Sequence, residues 1–237
     1  MRIAVFSDIH ANLPALESVL RDMDEAGVDA KVCLGDLVGY APFPNEVIER
    51  IRDLGIPTIM GNYDQGVGFD LEDCGCAYRT EEEKSLGQVS LLWTRGKVTP
   101  ENKAFLRTLV PRLELEVGSF RLLFVHGSPR RINEYLFPDR PDASFRNMMA
   151  HESANVLICG HTHIPFFRKI DGLFVVNDGS VGRPKDGDWR AAWALLTVED
   201  TVTVSFRRCE YDLDALERAY AQSGLPEKFL RDLLPSR

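Results

Sequence analysis

Seven side chains able to hold a divalent cation stand at abrupt turns of this sequence: Asp8, His10, Asp36, Asn62, His126, His161 and His163. Each follows a short apolar run, which places it just past a predicted strand, at the edge where ligands collect in open α/β sheets. Four of the chain's five histidines are among them, and only His151, on a predicted helix, stands apart. Imidazole, carboxylate and amide oxygen form a borderline-hard donor set, suited to Mn²⁺, Fe²⁺, Zn²⁺ or Ni²⁺ rather than to a metal that demands thiolates. Alone, Asp8 would read as a helix cap and His163 as a satisfied structural histidine. Seven such groups at one edge read as a metal site.

To deliver these groups, strands and helices must alternate. Residues 2–6 form an apolar run expected to be a strand buried on both faces. Asn12 then caps a helix that tolerates Pro14 in its first turn, carries Leu16, Val19, Leu20 and Met23 at helical spacing, and ends at Gly27. A second strand over 31–34 empties into the glycine-punctuated loop 35–40, a helix covers 45–54, and 57–60 reads as a third strand ending in the polar loop Gly61-Asn62-Tyr63-Asp64. Residues 65–110 read as a helical insertion covering the site. Thr80 and Glu83 form a capping box there, Thr99-Pro100 opens a further helix, and the acidic run 81–83 is a solvated helix start. Beyond it, hairpin patterns appear around Gly118-Ser119, Asp171-Gly172 and Glu199-Asp200, with a helix over 144–152, a strand over 156–159 and a last helix capped by Asp212. This order predicts one α/β domain over residues 1–237, with two mixed sheets and helices outside them.

Composition narrows the function. With 44% hydrophobic and 27% charged residues, the 237-residue chain is ordinary for a globular protein. No secretory leader and no apolar run of membrane-spanning length is visible, so a cytoplasmic location and no membrane partner are expected. The net charge of −8 argues against long nucleic acid, whose phosphates must be neutralised by cations. Small phosphorylated ligands, including nucleotides, stay compatible, because bound metal reverses the sign of a local site. Five cysteines are scattered, and Cys74-Gly75-Cys76 lacks the second pair or the nearby histidine of a structural zinc site.

The motifs Asp8-Ile9-His10, Gly35-Asp36, Gly61-Asn62-Tyr63-Asp64, Val125-His126-Gly127 and Gly160-His161-Thr162-His163 follow in an order that resembles the calcineurin-like metallophosphoesterase superfamily, in particular its small bacterial and archaeal branch of YfcE-type phosphodiesterases. The resemblance implies a four-layer sandwich, two mixed sheets flanked by helices. It assigns Asp8, His10, Asp36 and His163 to one metal ion and Asp36, Asn62, His126 and His161 to a second, with Asp36 shared. Two ions about 3.5–4 Å apart, Mn²⁺ first among the candidates, would activate a hydroxide for in-line attack on phosphorus.

One position departs from the family pattern. Where its phosphomonoesterases carry a histidine that protonates the leaving group, this chain has Tyr63, a poorer acid near neutral pH. Asp64, which in the family orients that histidine, is then expected to lack its partner. The catalytic set expected here is Asp36, Asn62, Tyr63 and Asp64. Asn12, Arg183 and Arg190 are expected to touch substrate, the two arginines because the loop 177–190 carries Arg183, Lys185 and Arg190 beside a pair of glycines. The expected activity is hydrolysis of phosphodiesters or phosphoanhydrides. Alternatives are a dinucleoside polyphosphate hydrolase, a serine/threonine-type phosphoprotein phosphatase and a noncatalytic protein-binding scaffold.

Overall fold

In chain order the elements are β1 (Arg2–Phe6), α1 (Leu13–Ala26), β2 (Ala30–Cys33), α2 (Pro44–Asp53), α3 (Asn62–Gly68), α4 (Glu81–Lys97), α5 (Pro100–Leu106), β3 (Arg112–Val117), β4 (Phe120–Val125), α6 (Asp142–Met149), β5 (Val156–Cys159), β6 (Phe166–Ile170), β7 (Leu173–Asn177), β8 (Ala191–Val198), β9 (Val202–Cys209), α7 (Leu213–Ser223) and α8 (Glu227–Arg231). This computed structural model describes residues 1–78 and 80–235; residue 79 of the expected insertion and the last two residues of the expected domain lie outside the described residues.

Strand alternation sorts the core into layers. Ile3 and Val5 of β1 face one side and Ala4 and Phe6 the other, as the two-residue period of a strand requires. Ile3 and Val5 join Phe124, Ile158, Val176 and Leu196 in the core between the sheets. Ala4 and Phe6 meet Leu16, Val19 and Met23 of α1. Beyond the second sheet, Leu123, Leu157 and Val175 pack on Phe145, Met148 and Met149 of α6. One sheet runs β2-β1-β8-β9 and the other β3-β4-β5-β7-β6. Both are mixed: β1 pairs parallel with β2 and antiparallel with β8, while β4 and β7 both run parallel to β5. The architecture is the expected α/β one, two mixed sheets with helices outside.

Parallel pairing decides where the site falls. β1 and β2 end side by side in one sheet, and β4, β5 and β7 end together in the other, so the loops after five strands open at the same edge. The expected third strand over 57–60 is corrected to two isolated bridges, Cys33 with Thr58 and Ile59 with Val110. Each neighbour meets it at one residue, so no ladder propagates, yet this short crossing ties β2 to the start of the second sheet. The expected polar loop at Asn62 is instead the first turn of α3, because the Asp64 carboxylate accepts from the Gly61 N–H and caps it (2.9 Å). The helix expected over 144–152 begins two residues earlier, with Asp142 in its first turn, and stops at Met149.

Within the expected insertion, α3 packs on both α4 and α5. Thr80 caps α4 through the Glu83 N–H and Thr99 caps α5 through the Asn102 N–H. Among the described residues no helix is long and apolar enough to cross a membrane. Phe124, fully buried between the sheets, leaves a large cavity when truncated. Phe124→Ala is expected to lower unfolding stability by roughly 3–5 kcal/mol, read from the denaturant midpoint.

Candidate metal centre

Backbone hydrogen bonding fixes three imidazoles before any ligand is considered. Nδ1 of His10 lies 3.0 Å from the Val38 carbonyl, Nδ1 of His163 2.5 Å from that of Arg183 and Nδ1 of His126 2.8 Å from that of Leu34. A carbonyl only accepts, so each Nδ1 carries a proton and each Nε2 faces the cluster, bare on the neutral His10 and His163. These two lone pairs meet head-on, His10 Nε2 and His163 Nε2 standing 3.2 Å apart. Nε2 of His126 lies 3.1 Å from Asn62 Oδ1 and 3.2 Å from His161 Nδ1.

The carboxylates point at the same two spots. Asp8 Oδ1, buried and without a hydrogen-bond partner among the described residues, lies 3.3 Å from His163 Nε2 and 3.8 Å from His10 Nε2. Asp36 Oδ2 lies 3.4 Å from His126 Nε2 and 3.8 Å from His10 Nε2, so one oxygen adjoins both groups. Two clusters result, Asp8 with His10 and His163, and Asp36 with His126 and His161, the donor atoms of each within 4.8 Å of one another. The amide of Asn62 is aimed by its own hydrogen bonds, since Nδ2 donates to the Cys74 carbonyl at 3.0 Å and to Cys76 Sγ at 3.2 Å, leaving Oδ1 turned inward. Mutually facing lone pairs and an orphaned carboxylate oxygen are what a cation would satisfy, and N/O donors fit a borderline divalent ion.

Electrostatics point the same way. Burial drives His10 and His161 down to about 3, so both are neutral donors. Burial opposes charge on Asp8 and Asp36, but the surrounding imidazoles, His163 first for Asp8 and His126 first for Asp36, keep both below the usual carboxylate range. His126 is drawn up to about 10, against its burial, by Asp36 and then Asp8, so the two carboxylates favour positive charge beside its Nε2.

The backbone is bent to present these groups. Asp8, His10, Asp36, His161 and His163 all occupy the left-handed region, with φ between 48° and 65°, as does Ala11 at 58°. That region is costly for residues with a side chain and concentrates at functional sites. Asp64 clamps the loops, its carboxylate accepting from the backbone N–H groups of Asp36, Leu37 and Gly61 at 2.8–2.9 Å. Burial and the neighbouring Asp36 push its carboxyl up to about 7. It does not line the cavity, and far from lacking a partner it has three.

Above the clusters lies a cavity of about 520 Å³, whose lining includes His10, Asp36, Asn62, His161, His163, Arg183 and the rings of Tyr40, Tyr63, Tyr78, Tyr135, Phe137 and Phe229. The chain also places Cys76, Glu83, Lys185 and Lys228 there. Arg183 lies 3.9 Å over the Tyr40 ring and pairs with Asp232 at 3.2 Å, so its guanidinium is held at the wall. Two expected substrate contacts are placed elsewhere. Asn12 is fully buried, accepting from the Ala15 N–H and donating to the Gly182 carbonyl, so it ties α1 to the loop after β7. Arg190 is forked on Asp188 outside the cavity, two residues away being near enough to satisfy it locally.

Residues 1–201 match the calcineurin-like phosphoesterase superfamily domain. The chain belongs to this superfamily. Among curated relatives, the uncharacterised protein MJ0912 of Methanocaldococcus jannaschii is 35% identical over 95% of this chain and 94% of its own length. The phosphodiesterase YfcE of Escherichia coli K12 is 25% identical over 79% of this chain and 83% of its own. Of solved structures, a metallophosphoesterase from Sphaerobacter thermophilus superposes with a TM-score of 0.77 at 31% identity, covering 98% of both chains. The hypothetical protein PH1004 of Pyrococcus horikoshii reaches 0.85 at 27% identity, covering 99% of this chain and 98% of that one. Membership and the two donor clusters together indicate a phosphoesterase that uses divalent metal.

Several residues of this phosphoesterase site escape sequence reasoning. The Ser7 hydroxyl lies 2.6 Å from Asp8 Oδ2 and 3.0 Å from Asp178 Oδ1, one proton facing two carboxylates. Burial and then Asp8 push Asp178 well above the carboxylate range, and it braces Asp8 through the Ser7 hydroxyl. Its only sequence signal is its place just after β7. Tyr135 lies against His161 with ring centroids 4.1 Å apart, far from any motif. Gly61 is closely packed on a donor, because a Cβ there would overlap both Oδ1 and the N–H of Asp36. Gly61→Ala should therefore displace Asp36 and lower bound Mn²⁺ at least tenfold by elemental analysis and titration calorimetry. Gly96→Ala, with open space around its Cβ, should bind like the parent.

Proposed function

We propose that the protein is a hydrolase of small phosphodiesters whose leaving group is stable as an anion, as an aryl oxide is. The observation that carries this reading is the donor cluster at the floor of a cavity walled by rings, with Tyr63 at the position of the family's proton-donating histidine. Asp8, His10, Asp36 and His163 would hold one divalent ion and Asp36, Asn62, His126 and His161 the other, with Mn²⁺ favoured by the oxygen and imidazole donors. When bound, such ions supply Lewis acidity to phosphoryl oxygens and acidify water.

The chain's own groups do the rest. Arg183 would orient a phosphoryl oxygen by a charge-assisted hydrogen bond, its position fixed by Tyr40 and Asp232. Its backbone carbonyl also accepts from His163 Nδ1, so the substrate clamp and a metal donor move together. Tyr63 is buried among the rings of His10 and Tyr40, and burial pushes its phenol well above the ordinary value near 10. Such a phenol keeps its proton through the reaction. Departure of the product would then rest on a leaving group that is stable as an anion, which an aryl oxide, or the phosphate of a nucleotide leaving from an anhydride, provides and a serine alkoxide does not. His151 is exposed and does not line the cavity, so it is no substitute donor. A phosphoanhydride, as in a dinucleoside polyphosphate, is a second reading, supported by Lys185 and Lys228 on the cavity wall near Arg183.

The test is a comparison of metal-loaded protein on bis(4-nitrophenyl) phosphate and 4-nitrophenyl phosphate. The diester is expected to give the higher kcat/KM; a preference for the monoester overturns the assignment. Tyr63→His, which places an imidazole beside Asp36 and His10, is expected to raise hydrolysis of phosphoserine, whose alkoxide leaving group needs a proton, relative to the diester by up to about 10²-fold, the lower bound of general acid catalysis. Arg183→Ala is expected to raise KM for the diester by roughly 10-fold or more, the cost of one charge-assisted hydrogen bond. Unchanged kinetics would remove Arg183 from recognition.

A further inference from the structure

The Cys74-Gly75-Cys76 segment, which carries no role in the proposed hydrolysis, is coupled to a metal donor. Sγ of Cys74 and Sγ of Cys76 lie 3.0 Å apart. The turn that brings them together is anchored: Gly75 has φ of 67°, its N–H donates to Asp73 Oδ1, and its carbonyl accepts from Asn133 Nδ2, both at 2.8 Å. A side chain at Gly75 would collide with the Asn133 amide, so only glycine fits both the backbone angle and the space. The two thiols differ in access, because Cys76 lines the cavity and Cys74 is buried behind it. Cys33, Cys159 and Cys209 are also buried, at the ends of β2, β5 and β9.

The same short turn aims Asn62. Both hydrogen bonds that turn Asn62 Oδ1 inward end on it, one at the Cys74 carbonyl and one at Cys76 Sγ. We infer that Cys74 and Cys76 form an oxidation site for hydroperoxides, and that closing their disulfide turns Asn62 away from its metal-binding orientation. This rests on the assignment of Asn62 as a metal donor in the proposed function.

The chemistry balances with one peroxide. One of the two sulfurs, as thiolate, attacks an oxygen of hydrogen peroxide, the O–O bond breaks, and its sulfenic acid and one water form. The other sulfur, 3.0 Å away, then displaces the sulfenic oxygen, the S–S bond forms and a second water leaves. Two thiols lose two electrons and two protons, and the peroxide is reduced to two waters. Bonding to Cys74 draws Cys76 Sγ off the Asn62 amide. Loss of such a partner behind a metal ligand costs 10- to 100-fold in metal affinity. Exchange with a dithiol reverses the reaction.

Full-length protein is treated with hydrogen peroxide, its remaining thiols are alkylated after denaturation, and peptides are mapped by mass spectrometry. In parallel, Mn²⁺ affinity is measured by titration calorimetry before oxidation, after it, and after dithiothreitol. A Cys74–Cys76 crosslink with three alkylated cysteines is expected, together with a 10- to 100-fold loss of affinity at one site that dithiothreitol restores. Cys76→Ala, which removes the crosslink and the sulfur behind Asn62 together, should have a Mn²⁺ affinity that peroxide leaves unchanged. Should that variant fold poorly, Cys76→Ser serves instead, with the same outcome expected. Five alkylated cysteines after peroxide, or a crosslink with unchanged Mn²⁺ affinity, overturns the inference. Neither readout needs a substrate, so a protein that hydrolyses no diester would refute the proposed function while leaving this result standing.

Discussion

The structure is organised around an unfavourable arrangement: bare imidazole lone pairs and two carboxylates face one another in a buried space. His10 Nε2 and His163 Nε2 point at each other across 3.2 Å, and Asp8 Oδ1 beside them has no hydrogen-bond partner among the described residues. Buried polar groups left in this state cost free energy, and like partial charges brought together cost more. A divalent cation converts the repulsion into coordination, which is why binding and local stability are one quantity at such a site. The surrounding fold maintains the arrangement against its own electrostatics.

Three devices do so. Carbonyls from Val38, Leu34 and Arg183 hold the three Nδ1 atoms and thereby decide which nitrogen faces the cluster. Left-handed backbone at five of the seven donors turns side chains inward that an extended strand end would send outward. Asp64 fastens the Asp36 loop to the start of α3 with three hydrogen bonds, and Asp178 braces Asp8 from behind. Each device uses a buried polar group that would be costly elsewhere, and all of them converge within the loops at one sheet edge.

Beyond the donors, the cavity wall is built from parts of the chain with no sequence relationship to the motifs. Tyr78 comes from the segment before α4, Tyr135 and Phe137 from the loop after β4, Arg183 from the loop after β7 and Phe229 from α8. α8, with Lys228 and Phe229, lies past residue 201, where the match to the superfamily domain ends, and it contributes to the cavity wall. Specificity in such a protein belongs to these walls, since the donor set is common to many chemistries on one fold.

The sequence by itself determined the layered architecture and singled out the candidate donors, because both are written in local pattern. Apolar runs of strand length ending in Asp, Asn or His are visible one at a time, and alternation within Arg2–Phe6 or Leu173–Asn177 follows from the two-residue period. Local pattern misread the short span at Thr58, whose pairing depends on what lies beside it, and it placed Asn12 and, from its cation-bearing loop, Arg190 with substrate. Only the tertiary structure decided that Asn12 is spent on Gly182, that Arg190 closes on Asp188, and that Asp64 is a backbone clamp. It also decided that Asp178, Tyr135 and Cys76 stand at the centre. These roles depend on distances between residues far apart in the chain, which are set by sheet register and loop packing and leave no periodic trace in the sequence.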